Sequence, residues 1–136
     1  MNPYYNQNYT RDDVEAVLTR IKSCVEKGNY IISQNENRQE NIDFINEYNI
    51  QSRKQKTILM QIQTGDFCHS LGNTNPGFEH EVLYVFVPQV LLYNPDGEEE
   101  IVDVYTKFNI IDRPNSSRTI VISFHKRNKP IDYLFR

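Results

Sequence analysis

Two short segments near the end of the chain hold side chains that can carry out acid–base and phosphate chemistry. The segment VYTKFNI contains Tyr105 and Lys107, and the segment TIVISFHK contains Ser123 and His125. Alternate residues of a strand lie on the same face of a sheet. If the two segments are neighbouring strands, these four side chains share one face. They then supply an imidazole for proton transfer, a fixed cation and a phenol, although an ordinary solvated sheet face has a similar composition.

A second group of candidates lies in the segment GDFCHSLGNTNPGFEHEVLYVF at residues 65–86, which contains His69 and His80. We interpret this segment as a glycine-rich loop that leads into an apolar strand. The residues alone leave open whether it is a reaction centre or an ordinary loop. We expect His80 to serve the loop or the strand entry. Cys68 next to His69 suggests a thiol nucleophile only weakly, because side chains adjacent in sequence usually point in different directions.

Charge is distributed unevenly along a chain whose net charge is −3. Residues 113–136 carry six basic residues and one acidic residue, and Lys126 and Arg127 are among the basic ones. A local cationic patch of this kind can attract a polyanion such as RNA in spite of the net charge. The equally simple alternative is that these residues only keep a sheet edge soluble.

The sequence contains no pattern typical of a metal or cofactor site. Its three histidines are scattered, and no group of Asp, Glu and His has the spacing of metal ligands. A glycine-rich phosphate loop of the P-loop kind is also missing from the sequence. We therefore expect neither a metal ion nor a cofactor.

Length and composition predict one domain over residues 1–136. Residues 1–10 are polar and rich in tyrosine, which favours a poorly ordered terminus. No apolar run approaches the roughly 20 residues that span a bilayer, so we expect no membrane partner. The first residues show no secretory signal, and two cysteines do not make a disulfide framework. We therefore expect a cytoplasmic protein.

Three helices are predicted in the first half of the chain. The first follows a cap at Thr10 or Asp12 and ends at Gly28, with an apolar stripe at helical spacing. The second is expected over about residues 38–48, with Ile42, Ile45 and Tyr48 as its buried stripe. The third is expected from Ser52 to near residue 65, with three apolar residues on one side, which are Ile58, Leu59 and Ile62.

After residue 65 the pattern changes to that of strands. The runs EVLYVFVP, QVLLYN, EIVDVYTKFNII, RTIVISFHK and a short IDYLF are rich in strand-forming residues, and NPDGE between two of them is a turn signal. Strict alternation places Ile120, Ile122 and Phe124 on the face that packs against the helices. The predicted fold is α+β, with three N-terminal helices packed on a C-terminal antiparallel β-sheet.

The chain resembles the MqsR-type mRNA-interferase toxins of bacterial toxin–antitoxin systems, which are small α+β ribonucleases. The resemblance is spread over roughly residues 14–127. The segment VLTRIKSCVEKGNYIIS is similar to the first helix of the family and its exit. NIDFINEYNIQSRKQKTILMQIQTGDFCHS is similar to its second and third helices, and VYTKFNI followed by TIVISFHK is similar to its last two strands. Residues 128–136 and the acidic segment near 96–100 extend beyond the usual family length.

The resemblance implies a metal-independent endoribonuclease that cleaves mRNA and is neutralised by an antitoxin protein. Tyr105, two residues before Lys107, corresponds to the functional tyrosine of the family. His125 follows a serine–phenylalanine pair where the family has a lysine, and His69 holds the place of another family lysine. The catalytic residues implied are therefore His69, Tyr105 and His125.

The substrate-binding residues expected beside that catalytic set are Lys107, Lys126 and Arg127. They supply the positive charge that captures and stabilises the phosphate of the RNA. The sequence does not tell which histidine is the acid and which is the base.

A different class of function is also compatible with the sequence. The chain could be a non-catalytic binding or inhibitor module of the phage or plasmid type. Its contact surface would then be an acidic β-hairpin around DGEEE and Asp103. A solvated turn has the same composition, so the acidic run by itself does not distinguish the two.

Overall fold

Helices and strands are interleaved in the first third of the chain, as a computed structural model shows. The structure describes residues 5–136, apart from the side chain of Glu36. Its helices are α1 (Arg11–Glu26), α2 (Gln39–Glu47) and α3 (Ser52–Met60). Its strands are β1 (Tyr5–Asn6), β2 (Tyr30–Ile32), β3 (Phe67–Gly72), β4 (Val82–Phe86), β5 (Gln89–Tyr93), β6 (Glu99–Arg113) and β7 (Ser116–Lys126).

The seven described strands form one sheet in the order β1-β3-β4-β6-β7-β2, and β5 pairs with the first part of β6. The α+β class is confirmed. The predicted order of helices first and strands second is wrong, because β1 precedes α1 and β2 lies between α1 and α2. The sheet is also not purely antiparallel, because β2 runs parallel to β7. The connection from β2 to β7 spans α2, α3 and most of the sheet, which is long enough for a parallel pairing.

Helix α1 begins as the sequence predicts. The Thr10 hydroxyl accepts a hydrogen bond from the backbone N–H of Asp13, and the Asp13 carboxylate accepts one from the backbone N–H of Thr10. This reciprocal capping box satisfies two donors that the first turn would otherwise leave without partners. The pKa of the Asp13 carboxyl is lowered, first of all by its backbone hydrogen bond.

Helix α2 packs against the sheet through a stripe that differs from the predicted one. The buried residues are Asn41, Phe44 and Tyr48, whereas Ile42 and Ile45 are only partly buried. Asn41 is a polar residue on this apolar stripe because its amide binds the sheet backbone. It donates to the carbonyl oxygens of Ser33 and Ile122, both at 2.9 Å, and accepts from the N–H of Phe124 at 2.8 Å.

These hydrogen bonds lie at a β-bulge in β7. Lys107 of β6 lies opposite Ser123, but the next residue of β6, Phe108, lies opposite Val121, so Ile122 is an extra residue. The bulge reverses the alternation, and the prediction that Ile120 and Ile122 pack against the helices is wrong. Val121 is in the core with Phe124 instead.

Two strands occupy segments for which the sequence predicts no strand. Residues 30–32, which lie in an asparagine-rich segment, form β2 at the edge of the sheet. Residues 67–72, which were interpreted as part of a loop, form β3 between β1 and β4. The predicted short strand IDYLF does not form. Residues 131–135 instead run as a non-strand segment, in which the N–H of Leu134 donates to the carbonyl of Phe67.

The main core lies between the helices and one face of the sheet. It contains the predicted apolar stripes of α1 and α3 together with four phenylalanines of the strands, which are Phe67, Phe86, Phe108 and Phe124. The opposite side of the sheet, which carries Tyr105 and Lys107, is called the second face below. A small cluster of Cys68, Val85 and Val87 is buried on it.

The terminal segments are partly described. The expectation of poor order at residues 1–10 falls in part on residues 1–4, which lie outside the described residues. From residue 5 onward the chain is placed: β1 pairs with β3, and the Tyr9 hydroxyl donates to Ser70 Oγ at 2.7 Å. Among the helices described, none is both long enough and apolar enough to cross a membrane.

Candidate functional site

The register of β6 and β7 brings four of the candidate side chains together on the second face. Tyr105 lies directly opposite His125, and Lys107 lies directly opposite Ser123. Both pairs lie on the same side of the bulge at Ile122, so the bulge does not disturb them. Directly opposite residues have Cβ atoms about 4.5–5.5 Å apart, so the four form a compact group. The two strands are neighbours, so the condition under which the four side chains share one face is met.

His125 is held at the edge of this group with one ring nitrogen occupied. Its Nδ1 lies 2.8 Å from the carbonyl oxygen of Lys126 and 3.5 Å from Glu40 Oε2. A carbonyl oxygen only accepts hydrogen bonds, so Nδ1 carries the proton and donates it. In the neutral ring Nε2 therefore has a lone pair that can take a proton. The Tyr105 ring stacks on the imidazole, with centroids 5.4 Å apart.

Lys107 is partly buried at the centre of the second face, among positive charges. Burial lowers the pKa of its ammonium group, and the nearby charges of Arg38 and Lys129 lower it further. None of these three side chains forms an ion pair with a carboxylate within the part of the chain that the structure describes. These cations repel one another, and an anion placed among them relieves that repulsion. The carboxylate of Glu40, 3.5 Å from His125, lies at the edge of the same group and offsets part of its positive charge.

Tyr105 is half-buried and remains a neutral phenol at physiological pH. Burial raises the pKa of its hydroxyl, and the nearby Cys68 and Tyr5 raise it further. A neutral phenol can donate a hydrogen bond to a phosphate oxygen, and its ring offers a surface for stacking. Cys68 itself is fully buried, and burial raises the pKa of its thiol to about 12, so it does not form the thiolate that a nucleophile requires.

His69 lies on the same face as Lys107, two strands away. It is opposite Val85 of β4, and Val85 is in turn opposite Lys107, so the separation is about two strand spacings, roughly 10 Å. The ring is only 6% exposed and stacks on Tyr5, with centroids 3.9 Å apart. Among the described residues no group forms a hydrogen bond with its Nδ1.

The surroundings of His69 keep its imidazole neutral. Burial lowers the pKa of His69 to about 4, the charge of Lys107 adds to the lowering, and Asp132 opposes it. At neutral pH the ring is therefore a hydrogen-bonding group without charge. It is a weak base and does not carry the proton that a general acid must give.

Lys126 and Arg127, the other two predicted binding residues, are not brought into this group. Lys126 lies opposite Val104 on the helix side, 2.8 Å from a carboxylate oxygen of Glu47 and over the ring of Tyr48. Arg127 forms an ion pair with Asp103 at 3.1 Å and also donates to the carbonyl oxygen of Lys129. Both are already engaged, unlike Lys107.

Arg38 and Lys129 are residues of the site that sequence reasoning did not single out. Lys129 belongs to the basic stretch 113–136, so the charge count contained a signal for it. Arg38 offers no such signal. It comes close to Lys107 because the chain leaves the sheet edge after β2 and makes a short helical turn at Glu36–Arg38 before α2.

The C-terminal tail forms one side of the site. Ile131 and Tyr133 pack on the buried cluster of the second face, and the Tyr133 hydroxyl donates to the carbonyl oxygen of Val87 at 2.7 Å. The tail is fastened at its end by an ion pair between Arg136 and Asp66 at 2.6 Å. This arrangement brings Lys129 toward Lys107 and Asp132 toward His69.

His80 lies apart from this group. It is exposed, and it lines an open cavity with Arg20 and Asp112 at the other end of β6. Within residues 5–136 no group of three or more His, Cys, Asp and Glu side chains could hold a metal ion. The positive charges near the second-face group are those of Lys107, Arg38 and Lys129.

Comparison of the chain with models of protein families, with curated proteins and with solved structures found no match in any of the three.

Proposed function

We propose that this protein is an endoribonuclease that cleaves mRNA without a metal ion. The observation that carries the proposal is that the charges of Arg38 and Lys129 lie near Lys107, next to the Tyr105–His125 pair, and that none of these three cations forms an ion pair with a described carboxylate. A phosphodiester supplies the negative charge that this cluster lacks. The adjoining imidazole supplies the proton transfer that RNA cleavage needs.

The proposed reaction uses the 2′-hydroxyl of the RNA as its nucleophile. Nε2 of His125 takes the proton of the 2′-hydroxyl, and the bond from O2′ to phosphorus forms while the bond from phosphorus to O5′ breaks. The Lys107 ammonium gives a proton to the departing O5′, and its lowered pKa makes it a better donor. The products are a 2′,3′-cyclic phosphate and a 5′-hydroxyl. Because the RNA supplies its own nucleophile, this step needs no water molecule or cofactor as a reactant.

The remaining residues have supporting parts in this proposal. Tyr105 orients the phosphate through its hydroxyl or stacks on a base of the single strand. His69, which the sequence proposed as an acid–base group, is neutral and about two strands away from Lys107. We therefore propose it as a hydrogen-bonding group for the substrate. Lys126 and Arg127 are paired with Glu47 and Asp103, so we propose no direct part for them in the reaction.

The resemblance to MqsR-type toxins supports the same conclusion. The family's tyrosine–x–lysine pattern falls on Tyr105 and Lys107, and its position after serine–phenylalanine falls on His125. If the chain is such a toxin, a small antitoxin protein holds it inactive. Production of the chain alone is then expected to stop growth, and production of the His125→Ala chain is not.

The experiment that tests the proposal is incubation of the purified protein with single-stranded RNA in EDTA. Cleavage with cyclic phosphate ends is expected. The His125→Ala protein is expected to cleave about 10²–10⁴-fold more slowly, because positioned proton transfer contributes that much. His80→Ala, purified in the same way, is the matched control and is expected to keep its activity.

If the His125→Ala protein cleaved RNA as fast as the unchanged protein, the reaction could not take place at this face of the sheet. The alternative function, a non-catalytic binding module that acts through the β5–β6 hairpin, predicts that RNA stays intact in the same assay. The observation that favours this alternative is that the hairpin exposes three large apolar side chains, which are Leu91, Tyr93 and Ile101.

A further inference from the structure

The β5–β6 hairpin has one face that packs on the core and one that is open. Val90, Leu92 and Val102 are buried against the helices. On the other side Leu91 lies directly opposite Ile101, and Tyr93 lies opposite Glu99. Leu91 is 46% exposed, Tyr93 is 58% exposed and Ile101 is 75% exposed. These three contiguous apolar side chains are called the hairpin patch.

Acidic residues surround the tip of the hairpin. Asp96, Glu98 and Glu99 are exposed, and none of them forms an ion pair in the part of the chain described here. Glu99 only accepts a hydrogen bond from the Tyr93 hydroxyl at 3.3 Å. The tip therefore carries three negative charges without counter-charges beside an exposed apolar surface.

Strand β5 also has an open edge. It pairs with β6 on one side, and no other described strand pairs with it on the other side. An unpaired strand edge presents backbone donors and acceptors to an incoming strand, and proteins usually protect such edges. Of the three exposed side chains of β5, Leu91 and Tyr93 are apolar and Gln89 is polar, and none of them is a lysine.

We propose that the β5 edge and the hairpin patch form a docking site for an extended basic segment of another protein. The segment adds as a strand along β5, places apolar side chains on the hairpin patch and places lysine or arginine side chains near Asp96, Glu98 and Glu99. The charge selects this occupant. A nucleic acid is repelled by the acidic tip, and the β5–β6 hairpin of a second copy is itself acidic, so it lacks the lysine and arginine side chains that complement this tip.

The test uses a fluorescent seven-residue peptide of alternating valine and lysine, with a valine–glutamate peptide of the same length as its control. Fluorescence anisotropy with the full chain is expected to show saturable binding of the lysine peptide only. Ile101→Asp and the double change Glu98→Lys with Glu99→Lys are each expected to weaken binding by at least about tenfold. These positions are exposed, so the fold is expected to remain, which thermal melting checks.

Ile31→Asp is the matched control variant. Ile31 is also an exposed apolar residue on an edge strand, β2, and is 48% exposed, but no acidic tip adjoins it. Its substitution is expected to leave peptide binding unchanged. Absence of binding by the lysine peptide, or an equal loss with Ile31→Asp and Ile101→Asp, would overturn the proposal.

Docking and RNA cleavage are separable in this design. The His125→Ala protein keeps the hairpin intact, so it is expected to bind the lysine peptide as tightly as the unchanged chain. Peptide binding without cleavage would refute the endoribonuclease proposal alone. Cleavage without peptide binding would refute the docking site alone.

Discussion

Tyr105 and His125 face each other across β6 and β7, with ring centroids 5.4 Å apart and ring planes inclined by 18°. The stack fixes the imidazole from one side, while the hydrogen bond from Nδ1 to the carbonyl oxygen of Lys126 fixes it in its own plane. The two contacts together orient Nε2. The role of general base that we propose for His125 requires such an oriented nitrogen.

Substitutions of Tyr105 are expected to separate its ring from its hydroxyl. If the ring acts by holding His125 and by stacking on a base, Tyr105→Phe keeps most of the cleavage rate and Tyr105→Ala loses about tenfold or more. If the hydroxyl acts on the phosphate, the two variants lose the same amount. Single-turnover cleavage rates of both proteins distinguish the outcomes, and unchanged rates in both would exclude Tyr105 from the site.

The cationic cluster is expected to determine how RNA binding depends on salt. Removal of one phosphate contact lowers the slope of log K against log salt by about 0.7 for a single strand. Lys107→Ala, Arg38→Ala and Lys129→Ala are each expected to lower the slope by about this amount, measured by titration of labelled RNA. Lys54→Ala is the control, because Lys54 is an exposed lysine at the start of α3.

An unchanged slope in all three variants would show that the cluster does not contact phosphate. An equal reduction by Lys54→Ala would show that only the overall charge of the chain matters. Either result would remove the main support for the proposed function.

His69 is expected to make the protein less stable in mild acid. In the folded protein its pKa is about 4, which is below the ordinary value. Burial lowers this pKa most, the charge of Lys107 lowers it further, and the charge of Asp132 opposes the change. The unfolded chain therefore binds more protons between about pH 4 and about pH 6.5, and the free energy of unfolding falls as the pH decreases through that range. The loss from about pH 7 to about pH 4.5 is about 2–3 kcal/mol.

Urea denaturation at the two pH values, with and without His69→Gln, measures this contribution. The substitution removes the titrating group. The free energy of unfolding is therefore expected to differ less between the two pH values, by most of the roughly 2–3 kcal/mol. The two pH values are compared within each protein because other groups also make the free energy of unfolding depend on pH. Burial raises the pKa of Asp66, so the folded protein binds a proton there more readily, which stabilises it as the pH falls. If the free energy of unfolding depended on pH in the same way in both proteins, the lowered pKa of His69 would be contradicted.

Asn41 is expected to be one of the more costly positions to change. The residue is 1% exposed, and its amide forms three hydrogen bonds with the backbone around the bulge. Asn41→Leu leaves the buried N–H of Phe124 without a partner, so the free energy of unfolding is expected to fall by about 2–4 kcal/mol. Urea denaturation measures the loss.

Asn46→Leu serves as the control, because Asn46 is an exposed residue of the same helix. A change within about 0.5 kcal/mol is expected there. A loss below that level for Asn41→Leu would show that the bulge does not depend on the amide.

Local sequence patterns predict the parts of the protein that depend on neighbours along the chain. The capping pair Thr10 and Asp13, the apolar stripe of α1 and the turn at NPDGE are local patterns, and each corresponds to the observed element. The alternation in β6 also placed Tyr105 and Lys107 on one face. Such patterns follow from the geometry of a single helix or strand, so they can be read without knowledge of the rest.

Contacts between distant segments produce the features that local patterns do not predict. The bulge at Ile122 reverses the faces of β7, and the amide that satisfies its backbone comes from Asn41, 81 residues away. Strand β2 forms because β7 provides its only described partner, and the turn at Glu36–Arg38 after β2 brings the charge of Arg38 near enough to lower the pKa of Lys107. Periodicity carries no information about which strands pair or where a register shifts, because backbone hydrogen bonds between strands are formed by groups that every residue has.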